Sequence, residues 1–356
     1  MVWHAGTMTR ASPIATGVLL AVIAAVAFGV TTPVVAWAGR DLGSFSTAAL
    51  LYAGAAAAAV LARLVAEKSD APLRRSDRAR VVMVAAVGAA LAPTLLAWGL
   101  QHSGATIGSL LLNLEAVFTV LLARAVYREP IGGRVALAMC AMVLGGAALT
   151  AGVWHDAAWS IVGVLAVGGA TAAWALDNTL TRPLAERDPL HVVAAKAGLG
   201  ATLTTLIAIG RGEPRPGVVA AVALVACGAT GYGLSLRLYL LAQRRIGAGR
   251  TGSVFALAPF VGAAIALAIG DRPAGAWTLV AAALFGVGVV LHLTEHHHHP
   301  HAHAAEDHQH PHRHDDGHHG HVHDPPIAGE HTHVHHHHAV EHDHDHAPDV
   351  HHDHVH

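Results

Sequence analysis

Four charged side chains interrupt long apolar stretches of this sequence: Glu115, Asp177, Lys196 and Arg237. A charge in the middle of a lipid-embedded helix costs about 2.5–3.5 kcal/mol on insertion scales, so such residues are seldom kept without a use. A carboxyl group removed from water holds a proton more readily than it does in solution, which suits proton binding and release. The chemistry that these residues predict is reversible binding of a proton or of a charged solute.

Asp177 and Lys196 are predicted to lie at similar depth on consecutive helices, where a salt bridge can form, with Asn178 beside them as a hydrogen-bond donor. Two interpretations stay open for this pair: a lock that holds two helices together, or a part of the path that a solute takes. Arg237 stands near the end of its apolar stretch, and we expect its guanidinium to extend to the membrane surface.

Glu115 lies near the middle of its predicted helix and has no obvious local partner. We predict that it lines a central cavity and binds either a coupling proton or a cationic group of the solute; transport by Glu115→Gln equal to wild type at every pH would refute this. The predicted pathway for solute and coupling ion consists of Asn113, Glu115, Asp177, Asn178 and Lys196. Four aromatic residues are expected to pack in the core rather than line a cavity: Trp98, Phe118, Trp174 and Tyr239.

A second chemistry is concentrated in the segment 296–356, which contains most of the 32 histidines of the chain. Neutral imidazole binds zinc, copper, nickel and cobalt, and closely spaced histidines on a flexible chain can share one ion. The segment has few apolar residues, so we predict a disordered tail that binds Zn, Ni, Co or Cu, while no cofactor is required elsewhere. The predicted metal ligands are His296, His297, His298, His299, His319, His321, His323, His335, His336, His337, His338, His342, His344 and His346.

The elements that carry these residues are predicted to be membrane-spanning helices. Hydrophobic residues make up 53% of the chain and charged residues 13%, against about 25% charged residues in soluble domains. A spanning helix needs about 20 mostly apolar residues. Ten stretches meet this requirement, which predicts an all-α membrane protein with transmembrane helices at 14–38, 44–65, 81–101, 103–126, 131–151, 159–181, 190–210, 217–243, 251–270 and 274–294.

The distribution of lysine and arginine predicts the orientation of these helices. Fifteen of these residues fall on the side of the N-terminus and the even-numbered loops, and four on the other side. Because basic residues accumulate in cytoplasmic loops, both the N-terminal segment 1–13 and the tail are predicted to be cytoplasmic. We therefore expect a multi-pass protein of the cell membrane whose surroundings are the lipid bilayer.

An internal repeat relates the two halves of the predicted bundle. The segments 104–130 and 247–273 align without a gap, and each has a Gly-Ala turn, an apolar helix, a carboxylate and a proline. The regions 14–151 and 159–294 are therefore predicted to be two five-helix repeats, although similarity between Ala/Gly-rich helices by composition alone is the alternative. Since five is odd, the two copies would cross the membrane in opposite directions, as in transporters whose solute site lies between inverted repeats.

The stretch GSLLLNLEAVFTVLLARAVYREP at 108–130 resembles the signature of EamA-type carriers in the drug/metabolite transporter superfamily. In that family the fourth span carries an Asn-Leu-Glu-Pro-like stretch and ends in Gly-Glu. Here Asn113, Leu114 and Glu115 match, but Ala116 replaces the proline, and an arginine replaces the glycine before the final glutamate. The resemblance covers about 14–294. It implies two five-helix repeats that carry metabolites or drugs, often as exporters.

The leading prediction is a secondary transporter that exports small organic metabolites or drugs, with a tail that binds transition metals. The alternative is a transporter of Zn, Ni, Co or Cu whose tail collects the ion. A metal carrier would be expected to hold histidine or cysteine clusters within its spans, whereas the histidines before the tail lie near helix ends. The sequence has no nucleotide-binding loop, no HExxH motif and no nucleophile elbow, so an enzyme is not predicted. No nucleic-acid partner is predicted either, and pairing of two copies as a homodimer stays open.

Overall fold

The computed structural model describes residues 13–65, 72–128, 131–153, 159–184, 187–246, 248–271 and 275–294, together with four short strands beyond residue 300. The part before residue 295 is helical. Its α-helices are α1 Pro13–Gly29, α2 Thr31–Ala38, α3 Ser44–Val65, α4 Arg78–Val84, α5 Ala92–Ser103, α6 Ala105–Leu111, α7 Leu114–Tyr127, α8 Gly133–Val153, α9 Trp159–Thr181, α10 Pro189–Gly210, α11 Val218–Cys227, α12 Ser235–Ile246, α13 Ala248–Phe255, α14 Ala258–Ala268 and α15 Ala276–Leu293. Two π-helical segments, Ala85–Leu91 and Gly228–Leu234, join α4 to α5 and α11 to α12, and short 3₁₀ turns lie at Arg75–Asp77 and Arg182–Leu184.

Nine helical stretches in the described part are long and apolar enough to cross a membrane. They correspond to nine of the ten predicted spans. The exception is the predicted span 251–270, which is divided between α13 and α14 by a turn before Pro259. Proline cannot donate a helical hydrogen bond and favours the first turn of a new helix. At 1.5 Å per residue, the 11-residue α14 is about 16 Å long, well short of the roughly 30 Å hydrocarbon layer.

The two halves of the helical part repeat the same elements at a constant spacing. The π-helical segments begin at Ala85 and Gly228, and the helices after them begin at Ala92 and Ser235, so both pairs are 143 residues apart. A turn also lies at equivalent places in the two halves, between α6 and α7 and between α13 and α14. The helices after these turns begin 144 residues apart, one residue more than the spacing of the π-helical segments. Because π-helices are rare, their recurrence at equivalent positions indicates a true repeat rather than a shared composition.

Equivalent helices of the two halves pack against each other with opposite chain directions. Between α8 and α15, Gly145 lies against the Ala281 carbonyl and Gly288 against the Ala138 carbonyl, so contacts move backwards along one helix as they advance along the other. A Cβ on Gly288 would come within 3.0 Å of that carbonyl oxygen. Small residues therefore allow the close backbone approach on which helix association in lipid depends.

The pair α3 and α10 shows the same arrangement through polar contacts at both ends. At one end, Arg63 Nε lies 2.8 Å from Asp188 Oδ2. At the other end, Ser46 Oγ donates to Glu213 Oε2 at 2.7 Å, and the Ser46 backbone N–H donates to the same oxygen at 2.8 Å. The start of each helix thus meets the end of its counterpart, which defines an antiparallel pair.

Four short strands lie in the histidine-rich tail: β1 His301–His303, β2 Glu306–His312, β3 His331–His337 and β4 Val340–His342. Strand β1 pairs with β4, and β2 with β3, both antiparallel. Over these residues the fold differs from the expected disorder and from a purely α-helical chain. Antiparallel pairing satisfies the backbone hydrogen bonds of these residues.

Candidate functional site

A cavity of 710 Å³ lies between the two halves of the helical part. Most of its wall is apolar. Its polar and charged lining residues include all five residues of the predicted pathway, Asn113, Glu115, Asp177, Asn178 and Lys196. A cavity of this volume and composition is typical of sites for small organic molecules, which fall between roughly 300 and 1,000 Å³.

The turn between α6 and α7 positions Asn113 and Glu115 at the cavity. Asn113 Nδ2 donates to the Leu110 carbonyl at 2.9 Å, so this amide mainly closes the turn. Glu115 follows in the first turn of α7. Backbone N–H groups at a helix N-terminus favour negative charge, and this position therefore suits a carboxylate.

Glu115 connects α7 to α9 across the interface between the two halves. Its Oε1 accepts a hydrogen bond from Asn178 Nδ2 at 2.8 Å. Further along the same helices, Tyr127 Oη donates to the Thr179 carbonyl at 3.0 Å. The described hydrogen-bond partner of the Glu115 carboxylate is therefore a neutral amide.

Asp177 and Lys196 form the ion pair that the sequence predicts. The Asp177 side chain is 2% exposed and the Lys196 side chain 19% exposed. Asp177 also lies against Gly88 of the first π-helical segment, at a point where any Cβ would collide with the carboxyl group. The two charges compensate each other at the edge of the cavity.

The π-helical segment provides a backbone acceptor for two aromatic side chains. Pro93 has no N–H, so the Gly88 carbonyl lacks the donor that a π-helix would supply five residues later. Tyr52 Oη donates to this carbonyl at 2.7 Å, and Trp174 Nε1 donates to it at 3.0 Å. Both polar atoms are thus bonded to the wall of the cavity, and the two side chains contribute mainly ring surface to its lining.

Six aromatic side chains among the described residues line the cavity and contact one another. Tyr232 is central among them, with ring centroids 5.6 Å from Phe28, 5.5 Å from Tyr52 and 6.3 Å from Trp174. Phe255 lies 5.4 Å from Phe28 and 5.1 Å from Tyr239. We call these residues the aromatic wall: Phe28, Tyr52, Trp174, Tyr232, Tyr239 and Phe255.

The aromatic wall corrects one expectation and contains residues that the sequence analysis missed. Trp174 and Tyr239 line the cavity rather than only packing in the core. Phe28, Tyr52, Tyr232 and Phe255 were not anticipated. One signal was available, because the chain has only four tyrosines and three of them lie in this wall. Arg237 is not among the described lining residues.

The two ends of the bundle differ in how the halves meet. At one end α6 packs against α14, and Thr106 N donates to Asp271 Oδ2 at 2.6 Å. The repeat-equivalent pair, α7 and α13, shows no comparable packing over the residues described, and the cavity lies between these two helices. The cavity is therefore closed towards the α6–α14 end and lies towards the end where α3 finishes at Arg63.

The predicted metal ligands of the tail lie outside the described residues or in strands of which the backbone alone is described. The metal site of the tail stays a prediction. In the described part of the chain, no cluster of three or more His, Cys, Asp or Glu residues is arranged to hold a metal ion.

Comparison with known proteins places this chain beside known transporters and a known fold. Residues 15–151 and 161–294 each match the EamA-like transporter family. An uncharacterized transporter from Methanothermobacter thermautotrophicus is 28% identical over 212 residues, which span 58% of this chain and 62% of that protein. A protein of known crystal structure superposes with a TM-score of 0.55 at 18% identity, covering 78% of this chain and 95% of the other, which is a similarity of fold alone.

Proposed function

Because this chain belongs to the EamA-like transporter family, we propose that it is a secondary carrier that exports small organic solutes through the central cavity. The observation that carries the proposal is the cavity between the two halves, with the charged residues Glu115, Asp177 and Lys196 in its wall. Such residues within apolar helices are costly and typically mark a solute or ion pathway. The direction of export follows from the resemblance to EamA-type carriers, many of which are exporters.

The two repeats are inverted in this proposal, with Arg63 and both termini on the cytoplasmic side. The antiparallel packing of α3 with α10, and of α8 with α15, supports the inversion, since equivalent helices of parallel repeats would run in the same direction. The excess of basic residues on that side supports the orientation.

Transport proceeds by exchange of two equivalent interfaces. In the described residues α6 and α14 are packed, whereas α7 and α13 have no comparable packing. In this proposal the described state is the one whose cavity faces the cytoplasm. In the opposite state α7 and α13 pack together and α6 and α14 separate. Inverted repeats make both arrangements available, because each half can adopt the conformation of the other.

Glu115 is the residue that binds the coupling proton or the cationic group of the solute. Its position in the first turn of α7 and its neutral partner Asn178 support this role. Asp177 and Lys196 form a compensated pair that connects α9 to α10 and fixes the cavity wall beside Glu115.

The tail binds Zn, Ni, Co or Cu on the cytoplasmic side and acts as a metal buffer or sensor. Its histidine content supports this role. A transition-metal carrier whose tail collects the ion is the second candidate. It is less favoured because the described cavity wall offers isolated ligand groups, whereas metal sites usually use several histidine, cysteine or carboxylate ligands together.

Solute flux in sealed vesicles tests the proposal. The full-length protein is compared with a chain that ends at Thr294 and with Glu115→Gln, using a panel of radiolabelled amino acids, organic cations, organic anions and metal ions. We expect organic-solute flux that survives removal of the tail and is lost in Glu115→Gln. Metal flux that survives removal of the tail, without flux of any organic solute, would refute the proposal and support the metal carrier.

A further inference from the structure

The charge of the cavity wall depends on Glu115. The charged or readily protonated side chains among the described lining residues are Glu115, Asp177, Lys196 and His292. Asp177 and Lys196 neutralise each other in an ion pair. When Glu115 is ionised, it therefore adds a negative charge to the wall beside a pair that is already compensated.

The contacts of the Glu115 carboxylate leave this charge available to a ligand. Its described hydrogen-bond partner is the neutral amide of Asn178, at 2.8 Å. A carboxylate away from bulk water is stabilised far more by a paired cation than by one neutral donor. The described lining includes no arginine, and its single ammonium group, on Lys196, is already paired with Asp177. An anion in the cavity would meet the Glu115 carboxylate, while the ammonium group of Lys196 is already bound to Asp177.

The aromatic wall complements this charge. Its rings come from both halves of the chain, with Phe28 and Tyr52 in the first and the other four in the second. The hydroxyl of Tyr52 and the indole N–H of Trp174 both donate to the Gly88 carbonyl, so neither group needs a hydrogen-bond acceptor on a ligand. Ring faces attract cations, and Trp and Tyr do so more strongly than Phe. The same faces provide an apolar surface for a flat group.

We infer that the solute carried by this protein is an organic cation with a single positive charge and an aromatic or other flat apolar group. The inference rests on the proposed function and specifies its substrate class. The cationic group lies beside Glu115 and replaces Asn178 as the main partner of the carboxylate, while the apolar group lies against the aromatic wall. Charge at Glu115 excludes organic anions, and the absence of a free lysine or arginine in the described lining disfavours zwitterions.

Equilibrium binding to the purified full-length protein in detergent tests this inference without requiring transport. The probes are 2-phenylethylammonium, phenylalanine and 3-phenylpropionate, which share a phenyl group and differ in net charge. Binding of tritiated 2-phenylethylammonium and competition by the other two are measured for wild type, Glu115→Gln, Glu115→Asp and Asp41→Asn. Asp41 is an exposed carboxylate outside the cavity, so Asp41→Asn is the matched control for loss of a negative charge.

We expect wild type and Asp41→Asn to bind the cation at least tenfold more tightly than phenylalanine or 3-phenylpropionate. Glu115→Gln should bind it at least tenfold more weakly, and Glu115→Asp should retain part of the affinity, which distinguishes lost charge from misfolding. Equal binding of the cation by wild type and a correctly folded Glu115→Gln, or preferred binding of the anion or zwitterion, would overturn the inference. Flux of an organic anion in vesicles would contradict the substrate class alone, whereas a lack of all organic-solute flux would contradict the proposed function.

Discussion

The ion pair between Asp177 on α9 and Lys196 on α10 allows a quantitative test of whether charge compensation stabilises the folded protein. Lys196→Met removes the ammonium group and leaves a carboxylate whose side chain is 2% exposed, whereas Asp177→Asn leaves an ammonium group whose side chain is 19% exposed. The carboxylate has less access to water, so its isolation should cost more. Removal of one partner from a buried pair typically costs about 3–5 kcal/mol.

We expect Lys196→Met to lie near the upper end of this range and Asp177→Asn clearly below it. The double variant Asp177→Asn/Lys196→Met leaves no charge behind, and replacement of both partners of a buried pair is often close to neutral. Its stability should therefore be closer to wild type than that of Lys196→Met. At roughly 2–4 °C per kcal/mol for domains of 150–250 residues, Lys196→Met should lower the Tm by on the order of 10 °C.

The assay is thermal unfolding of the purified protein in one detergent, followed by fluorescence-detected size exclusion after heating. The four proteins of the double-mutant cycle are measured together, so that the coupling between the two sites is obtained directly. Additive losses in the double variant, or equal stability of all four proteins, would show that the pair does not stabilise the fold. Loss of transport in a double variant of wild-type stability would assign the pair to the solute pathway instead.

Three further predictions concern the packing and polar contacts around the cavity. Gly288→Leu should prevent close packing of α15 on the Ala138 carbonyl and abolish correctly folded protein in size exclusion, whereas Gly286→Leu, at a position with open space beside it, should not. Tyr52→Phe removes one of two donors to the Gly88 carbonyl, so it should cost about 1 kcal/mol in thermal unfolding because Trp174 remains; an unchanged Tm would refute the contact. Asp271→Ala removes the acceptor for Thr106 N and should favour separation of α6 from α14. The separation is measured as faster maleimide labelling of a cysteine at Ser109, in a background without Cys140 and Cys227. An unchanged labelling rate would count against that interface as a gate.

Several features of the fold and site follow from the sequence because they depend on local composition and depth. Apolar length alone places nine of the ten spans, and relative depth on consecutive helices places Asp177 beside Lys196. The turn that divides the ninth predicted span was not anticipated. Pro259 follows it, but the fourth span has the same turn with Ala116 at the equivalent position, so proline alone does not explain the turn. Proline inside a spanning helix is often tolerated, so the residue type does not determine whether the helix bends or ends.

Other features depend on contacts between distant parts of the chain and could not be derived from local patterns. The π-helical segment at Ala85–Leu91 lies among small residues with no distinctive periodicity. The hydrogen bonds to the Gly88 carbonyl come from Tyr52 and Trp174, which are on two other helices. The aromatic wall likewise forms only once α1, α3 and α9 meet the second π-helical segment, so its members resemble ordinary core residues in the sequence.

Side-specific labelling of a cysteine at Thr119 tests the central claim most directly, since Thr119 lines the cavity one helical turn beyond Glu115. The variant is made without Cys140 and Cys227, reconstituted in vesicles of known orientation, and treated with a membrane-impermeant maleimide from one side at a time. We predict rapid labelling from the side of the N-terminus and much slower labelling from the opposite side. Labelling only from the opposite side, or from neither side in folded protein, would contradict a solute cavity that faces the cytoplasm.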